Sequence, residues 1–358
     1  MKKIIVLSLC SFIQYLVLAQ LPSNDPHWQL KWEDNFEGNT LNTNRWLKWN
    51  YSDHWGEEPQ LMLEQNVWVA NNKLNILLDN NKAYCPNPPP DTVSGACGDC
   101  KPGWHDYTSG CVETKPKYYV KYGYIEARIQ APFKRKNTKG YGLWPAFWTY
   151  IGDEDNSLPY PKTNEAEIDI FEMFGHEYKF PNTINTCIHN SRDTKMGMAH
   201  TFDNFDYRDW HTYAIEWNPN RIIWYVDGIA IRGLLSHNIV DQVRIILGIG
   251  IHEKHLPPTS PHFAEYMYVD YVKVYELKCD KNTPLTINTL ADITNYDNRV
   301  KKSITINSIT IPAGSRICMR ANDFIELKPR FEVKAGREMY LDVSPCEMQT
   351  VQAPFEED

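Results

Sequence analysis

The sequence predicts an all-β protein, built as a β-sandwich with a small all-β module at its C-terminal end. Many short runs of alternating apolar and polar residues are separated by turn signals, which is the pattern of a sandwich with short strands. No stretch has the sustained helical periodicity of an amphipathic helix. The chain also contains 12 Trp, 21 Tyr and 13 Phe, and aromatic residues favour strands.

The strands of the predicted sandwich follow one another along most of the chain. They are expected at residues 28–36, 66–78 (a hairpin), 122–129, 142–148, 167–172, 211–217, 221–227, 243–251 and 265–275. Ile125, Ala127 and Ile129 share the buried face of one run. Asp227-Gly228 is typical of a tight hairpin turn. Residues 243–251 are nearly all apolar, as expected of a strand covered on both faces.

The first residues have the pattern of a secretory signal peptide. Lys2 and Lys3 precede an apolar run over residues 4–19, which ends in a small residue, Ala19, at a suitable cleavage position. The run is short for a membrane span and contains Gln14. We therefore expect residues 1–19 to be removed. The mature chain is expected to be secreted, extracellular or periplasmic, with no transmembrane segment.

Charge and motif content exclude several function classes. The formal net charge is −8, whereas nucleic-acid binders usually carry a basic surface. No Gly-rich phosphate loop or dinucleotide fingerprint follows a predicted strand. We expect a monomer that binds no nucleic acid.

The cysteines are interpreted in the light of export. Nine are present, and eight follow the leader because Cys10 lies within it. Four of the eight fall in a Cys-rich insert over residues 84–116, namely Cys85, Cys97, Cys100 and Cys111. Four cysteines allow three pairings, and an oxidising compartment favours disulfides over the alternative, a zinc knot on Cys97 and Cys100. Cys187 is expected to be a buried thiol that packs as a small hydrophobe.

Composition changes near residue 279. The sandwich is therefore expected over residues 20–278 and a separate all-β module over residues 279–358. So small a module buries little apolar surface. We therefore expect a disulfide clip, either Cys279–Cys346 or Cys318–Cys346.

Three acidic residues lie close together in the strand at 167–172. Glu167 and Asp169 share one strand face, with Ile168 and Ile170 on the other. Glu172 is out of phase with both acids. A β-bulge at Ile170 or Phe171 would return it to the acidic face, and bulges are common beside active sites.

Acids on one strand face permit a specific chemistry. Glycoside hydrolysis needs one ionised carboxylate near the anomeric carbon and one protonated carboxyl near the leaving oxygen. Repulsion between neighbouring carboxylates keeps one of them protonated. The alternative is a solvated acidic strand face without catalysis. Trp144 and Trp148, just before this strand, are candidates for stacking on sugar rings.

Five ordered segments over roughly residues 28–276 resemble glycoside hydrolase family 16, of the β-glucanase or laminarinase-like type. The family's bulged Glu-x-Asp-x-x-Glu signature is matched by Glu167, Asp169 and Glu172. The other segments are residues 122–128, 144–148, 216–228 and 269–275. The tail is similar to a small β-stack module of secreted bacterial proteins.

The resemblance implies a jelly-roll (concanavalin-like) sandwich and retaining hydrolysis of a β-linked polysaccharide. It implies that Glu167 is the nucleophile, Glu172 the general acid/base, and Asp169 the residue that orients and tunes them. His189 matches a histidine common in bulged members, with a purely structural role as the alternative.

A metal site and two aromatic residues complete the implied site. Asn35 and Asp270 fall where many members bind a structural calcium, although the usual acid near Asn35 is an amide here. No cofactor is implied for the chemistry. At least one of Trp144 and Trp148 is expected to bind substrate.

The substrate is left open by the sequence. An endo-acting β-1,3- or mixed-linked glucanase is the leading hypothesis, yet residues 248–255 lack the Gly-Gly-x-Trp segment usual in the family's β-1,3-glucanases. An agarase- or carrageenase-type galactan hydrolase is the second hypothesis. The basic loop at residues 134–139 would bind sulfate esters in that case, or be an ordinary solvated loop. A sugar-binding sandwich without catalysis is the third.

Overall fold

The computed structural model describes the chain in segments. These are residues 22, 28–52, 58–87, 100–132, 141–152, 166–175, 182–190, 196–203, 205–219, 221–235, 237, 239–294, 296, 299–311, 316–334 and 338–343. The signal-peptide prediction and the basic loop at 134–139 lie outside these residues. Two mainly antiparallel sheets enclose one apolar core, which confirms the predicted all-β sandwich.

Nineteen strands of the described residues precede the C-terminal module. They are β1 (Trp28–Asp34), β2 (Leu47–Lys48), β3 (Gln60–Met62), β4 (Val67–Val69), β5 (Leu74–Asp79), β6 (Ala83–Cys85), β7 (Gly103–His105), β8 (Tyr107–Ser109), β9 (Cys111–Glu113), β10 (Gly123–Gln130), β11 (Leu143–Ile151), β12 (Ala166–Glu172), β13 (Thr183–Asn190), β14 (Met198–Thr201), β15 (Trp210–Asn218), β16 (Arg221–Val226), β17 (Ile229–Leu235), β18 (Arg244–Ile251) and β19 (Ala264–Leu277).

The order of the strands differs from their order in the sequence. Sheet I runs β17-β16-β15-β10-β19-β5-β8-β3, with β1 also paired to β19 and β4 to β5. Sheet II runs β14-β13-β12-β11-β18-β9-β2. The chain crosses repeatedly between the two sheets, so that β11 pairs with β18 and β10 with β19. Such crossovers are typical of Greek-key and jelly-roll sandwiches.

The core lies between the two sheets and is built from alternating strand positions. Ile125, Ala127 and Ile129 of β10 are fully buried, as their alternation predicts. Every residue of β18 is buried, which confirms the prediction from its apolar run. The Asp227-Gly228 turn joins β16 to β17 with both residues at positive φ, 50° and 75°, as a type I′ turn requires.

The Cys-rich insert is shorter than expected. β6 and β7 form a hairpin beside a Cys85–Cys100 disulfide, so this pairing is one of the disulfides expected there. Cys97 lies outside the described residues. Cys111 is part of β9, which pairs with β18 and β2 in sheet II. The prediction of an insert up to residue 116 is therefore corrected, because these residues belong to the sandwich itself.

The C-terminal residues have their own sheets and their own core. They form β20 (Leu285–Ile287), α1 (Leu290–Thr294), β21 (Lys301–Ile306), β22 (Thr310–Ile311), β23 (Arg316–Leu327), β24 (Glu332–Val333) and β25 (Glu338–Val343). β20-β21-β23-β25 and β22-β24 are parallel sheets. Ile287, Ile304 and Met319 belong to an apolar cluster separate from the sandwich core. Cys279 is disulfide-bonded, and its partner lies outside the described side chains.

Among the described residues no helix has both the length and the apolar character needed to cross a bilayer.

Candidate active site

The acidic strand β12 contains a bulge that changes which side chains share a face. On β11, Trp148 lies opposite Asp169 and Phe147 opposite Phe171, so Ile170 is an extra residue. The same shift occurs against β13, between Asp169 and Glu172. The predicted bulge at residue 170 or 171 is thus confirmed.

The bulge places all three acids on one face. Ala146, Trp148 and Tyr150 alternate along β11 and therefore share a face. Their partners on β12 are Glu172, Asp169 and Glu167 respectively, and directly opposed residues point to the same side of a sheet. We call this side the acidic face of sheet II.

The acids are shielded from solvent, and the strand is anchored beneath them. Glu167 and Glu172 are each 8% exposed and Asp169 is 2% exposed. On the opposite side of β12, Ile168 and Ile170 belong to the sandwich core, as predicted. A solvated acidic strand face is therefore ruled out as the interpretation of this pattern.

His189 lies between two of the acids. On β13 it is directly opposite Glu167, two positions from Cys187, which is opposite Asp169. Its Nε2 atom is 3.5 Å from Glu167 Oε1 and 3.3 Å from Asp169 Oδ2. The His189 side chain is 36% exposed, so it links buried carboxylates to the solvent. Cys187 is 2% exposed, in agreement with the sequence prediction of a buried thiol.

The two candidate sugar-stacking tryptophans have different environments. Trp144 is partly exposed, and its indole N–H donates a 2.8 Å hydrogen bond to Glu172 Oε1. Trp148 is 2% exposed and lies in an apolar cluster with Trp49 and Met62. A buried ring offers no face to a sugar, which leaves Trp144 as the candidate of the pair for stacking on substrate. Trp148 packs the sheet beside the acids.

A buried ion pair continues the acidic face beside Glu167. Arg244 lies opposite Tyr150, which in turn lies opposite Glu167. The Arg244 Nε atom is 2.7 Å from Glu113 Oε2, and both side chains are fully buried. The guanidinium also stacks on the Tyr150 ring at 4.9 Å. Such a pair is costly to break by removal of one partner, which makes this part of the sheet rigid.

Two residues of sheet I support the bulged strand, and sequence analysis did not find them. The Trp224 indole N–H donates a 2.9 Å hydrogen bond to the backbone carbonyl of Asp169. Arg232 stacks on the Trp224 ring at 4.5 Å and donates to the carbonyl and hydroxyl of Thr186 at 2.8 and 2.9 Å. Burial lowers the pKa of Arg232, and the charges of Cys187 and Asp169 oppose this change. Only the register of distant strands brings these residues to the site.

A fourth acid lies on the same face and was also missed. Gly250 is opposite Trp144 on β18, and a side chain at Gly250 would meet the carboxylate of Glu58. Glu58 also accepts a hydrogen bond from Gln60 Nε2. Gly250 thus leaves room for Glu58 over the sheet. In the sequence, the sign of this space is a second glycine in β18, two positions after Gly248.

The predicted calcium ligands lie together, away from the acidic face. Asn35 and Asp270 line one surface depression with Glu37 and Asn72. The carboxylate of Asp270 is already paired with Arg128 at 2.7 Å. Carboxylate and amide oxygens suit Ca²⁺, but the arginine offsets part of the negative charge that would hold the ion.

The jelly-roll sandwich and its row of acids define a protein of the glycoside hydrolase class. The chain belongs to glycosyl hydrolases family 16, whose family model matches residues 57–244. Endo-1,3-1,4-beta-glycanase EglC of Rhizobium meliloti is 32% identical over 179 residues, which are 49% of this chain and 35% of that protein. The chain spans about a third of the length of the first curated relatives that it matches.

Solved structures support the same fold. The endo-beta-1,3-glucanase from Pyrococcus furiosus is 28% identical with a TM-score of 0.56, over 70% of this chain and 95% of that chain. The catalytic domain of a laminarinase from Thermotoga petrophila is 26% identical with a TM-score of 0.55, over 70% and 98% of the two chains. The predicted jelly-roll fold and family are confirmed.

Proposed function

We propose that the protein is a secreted, endo-acting, retaining glycoside hydrolase that cleaves a β-linked polysaccharide, namely a β-1,3- or mixed-linked glucan. The observation that carries this proposal is the β-bulge of β12, which brings Glu167, Asp169 and Glu172 to one face. Without the extra residue, Glu172 would point into the core. A strand that buries two isoleucines and presents three acids is organised for carboxylate chemistry.

The first half of the reaction forms a covalent intermediate. A Glu167 carboxylate oxygen attacks the anomeric carbon, and the bond from that carbon to the leaving oxygen breaks. Glu172 supplies the proton that the leaving oxygen takes up. The product of this step is a glycosyl ester on Glu167, with the configuration at the anomeric carbon inverted.

The second half releases the sugar. Glu172, now ionised, removes a proton from water, and the resulting oxygen attacks the anomeric carbon. The ester bond to Glu167 breaks, and the second inversion restores the β configuration. One carboxyl group thus acts first as acid and then as base, which requires that it return to its protonated form in each cycle.

Neighbouring residues fit these roles. The Trp144 indole N–H holds Glu172 in place through its 2.8 Å hydrogen bond, and the partly exposed ring is placed to stack on a sugar. Asp169 lies between the two glutamates along the face and is short enough to leave room above it. The His189 Nε2 atom is within 3.5 Å of carboxylate oxygens of both Glu167 and Asp169, where it links the two acids.

The choice of substrate class follows the relatives. The proteins named as glucanases above share the fold over 70% of this chain. A galactan hydrolase remains the alternative within the same chemistry.

Export and the remaining partners belong to the same proposal. The leader pattern at residues 1–19 and the Cys85–Cys100 disulfide support secretion, since structural disulfides persist in oxidising compartments. We expect a monomer, and a calcium ion in the depression of Asn35 and Asp270 that contributes to stability only. A rise in melting temperature on adding Ca²⁺, abolished in Asp270→Asn, would support the ion. An unchanged melting temperature would show that no calcium ion binds in this depression.

A polysaccharide panel tests the proposed function. The protein is incubated with laminarin, mixed-linked β-glucan, agarose and carrageenan, and new reducing ends are measured with product sizes. Oligosaccharides of several lengths from the two glucans are expected, because an endo enzyme cuts within the chain. Cleavage of the galactans alone would favour the alternative. Binding without cleavage on every polymer would support the non-catalytic sandwich and refute the hydrolase.

Matched variants test the assigned acids. Glu167→Gln and Glu172→Gln should each lower turnover on glucan by about 10³-fold or more. Glu126→Gln is the control, because Glu126 is also 8% exposed but lies in sheet I, where it accepts a hydrogen bond from Tyr271. The control should keep near-normal turnover. Normal turnover in either of the other two variants would remove that residue from the mechanism.

A further inference from the structure

We propose that Asp169, Cys187 and His189 form a binding site for a thiophilic transition-metal cation such as Zn²⁺, and that its occupation inhibits the enzyme. The three residues share the acidic face, because Cys187 is directly opposite Asp169 and His189 lies two positions further along β13. Their oxygen, sulfur and nitrogen ligand atoms all lie within 4.8 Å of one another.

The spacing is close to that of a tetrahedral zinc site. Zinc bonds of about 2.0–2.3 Å to oxygen, nitrogen and sulfur place neighbouring ligand atoms about 3.3–3.6 Å apart. His189 Nε2 and Asp169 Oδ2 are 3.3 Å apart, so one edge of such a site exists already. The Cys187 sulfur lies within 4.8 Å of both atoms, so the other edges must shorten when a metal binds.

A second observation points to a ligand at this position. The Asp169 side chain is 3% exposed, and its Oδ2 atom accepts no hydrogen bond within the described part of the chain. A buried carboxylate oxygen without a donor is costly. His189 Nε2 is 3.3 Å from this oxygen and offsets its charge only when the imidazole is protonated. A cation bound between the two atoms would do so when the imidazole is neutral.

The chemistry of the donor atoms decides which cation is favoured. A mixed nitrogen, oxygen and sulfur donor set selects zinc or similar metals over Ca²⁺ and Mg²⁺, which prefer oxygen alone. Glu167 Oε1 is 3.5 Å from His189 Nε2 and is placed to become a fourth ligand.

Binding here would stop catalysis. The metal would hold Asp169 and His189 in one geometry and draw Glu167 towards itself, away from an anomeric carbon. The 36% exposed ring of His189 provides the route by which the ion enters and by which a chelator removes it. Inhibition should therefore be reversible, and substrate should compete with the metal.

Co²⁺ is the probe for the experiment, because a cobalt–thiolate bond absorbs in the near ultraviolet independently of any activity. The protein is titrated with Co²⁺, alongside Cys187→Ala, His189→Asn and Cys111→Ala. Cys111 is the matched control, since it is also buried on sheet II but lies outside the cluster. Circular dichroism checks that each variant is folded.

Wild-type protein should bind one Co²⁺ per chain and show a thiolate–cobalt absorption band. The band should be kept in Cys111→Ala and absent in Cys187→Ala. In His189→Asn the affinity for Co²⁺ should be at least about tenfold weaker. Zn²⁺ should displace Co²⁺ and inhibit glucan hydrolysis, with recovery on chelation. The absence of a band in wild-type protein, or an unchanged band in Cys187→Ala, would overturn the proposal. If Cys187→Ala does not fold, wild-type affinity in His189→Asn would overturn it. Since the spectrum needs no substrate, a failure of the proposed hydrolysis is distinguished from a failure of this site.

Discussion

Replacing Trp224 with phenylalanine tests whether sheet I holds the catalytic bulge in place. The indole N–H of Trp224 donates a 2.9 Å hydrogen bond to the Asp169 carbonyl, at the point where the ladder of β12 changes register. Phenylalanine keeps an aromatic ring for Arg232 to stack on but removes this donor. A buried carbonyl left without its donor costs about 1–3 kcal/mol.

Trp217→Phe is the matched control for this perturbation. Both tryptophans are fully buried on neighbouring strands of sheet I, so both replacements leave a similar cavity. The Trp217 N–H has no hydrogen-bond partner among the described residues. The difference between the two variants therefore isolates the hydrogen bond to Asp169. We expect Trp224→Phe to be less stable than the control by about 1–3 kcal/mol, equivalent to about 2–4 °C in Tm per kcal/mol for a domain of this size.

Urea unfolding and steady-state kinetics are the assays. Stability is compared at equal m-values, so that a change in midpoint reports a change in the free energy of unfolding. Trp224→Phe should also lower kcat more than it raises KM, because a relaxed bulge misplaces Glu172 relative to Glu167. Equal stability of the two phenylalanine variants, together with unchanged kcat, would refute the supporting role of Trp224.

Three further predictions follow from other contacts. A chain ending at Lys278 should melt cooperatively and still cleave glucan, because among the described residues the sandwich core extends no further than residue 274. If the shortened protein is insoluble or inactive, the C-terminal module is part of the catalytic fold. Burial lowers the pKa of His211, but its hydrogen bonds to Asp227 and to the Asp206 backbone, together with the charges of Asp227 and Asp209, outweigh burial and the pKa is raised. Stabilisation by His211 should therefore be complete below about pH 6.5 and be lost as pH rises through the raised pKa. His211→Gln should lower the free energy of unfolding more in acid than in base. Equal losses at the two pH values would contradict this. Trp144→Phe removes the donor to Glu172 and should move the basic limb of the kcat/KM profile to higher pH, whereas an unmoved limb would show that the hydrogen bond has no electrostatic role.

Local patterns in the sequence were sufficient for much of the site. The period-two alternation around Glu167 and Asp169 predicted both the acidic face and the buried isoleucines. The odd spacing of Glu172 indicated where a bulge would return it to that face, and the resemblance to the bulged family signature implied one. The alternation depends only on neighbouring residues of one strand, whereas the bulge is a shift against the partner strands.

Other features depend on strands that are distant in the sequence. Trp144 and Trp148 share a face, and only the packing of Trp49 and Met62 against the second ring decides which one is covered. Trp224 reaches Asp169 from the other sheet. Cys111 lies in a strand of three residues, which is too short to show an alternation of apolar and polar residues. The nearby cysteines therefore indicated an insert at this position instead of a strand.

The anomeric configuration of azide products tests the central assignment most directly. Glu167→Ala and Glu172→Ala are each incubated with an activated aryl β-glycoside and azide, and the glycosyl azides are identified by nuclear magnetic resonance. Glu172→Ala still forms the glycosyl ester on Glu167, because the good leaving group needs no proton. Azide then attacks the ester, and two inversions give the β-azide. Glu167→Ala has no nucleophile, so azide attacks the substrate directly and one inversion gives the α-azide. A β-azide from Glu172→Ala and an α-azide from Glu167→Ala are therefore expected. An α-azide from Glu172→Ala with a β-azide from Glu167→Ala would reverse the two roles and contradict the assignment.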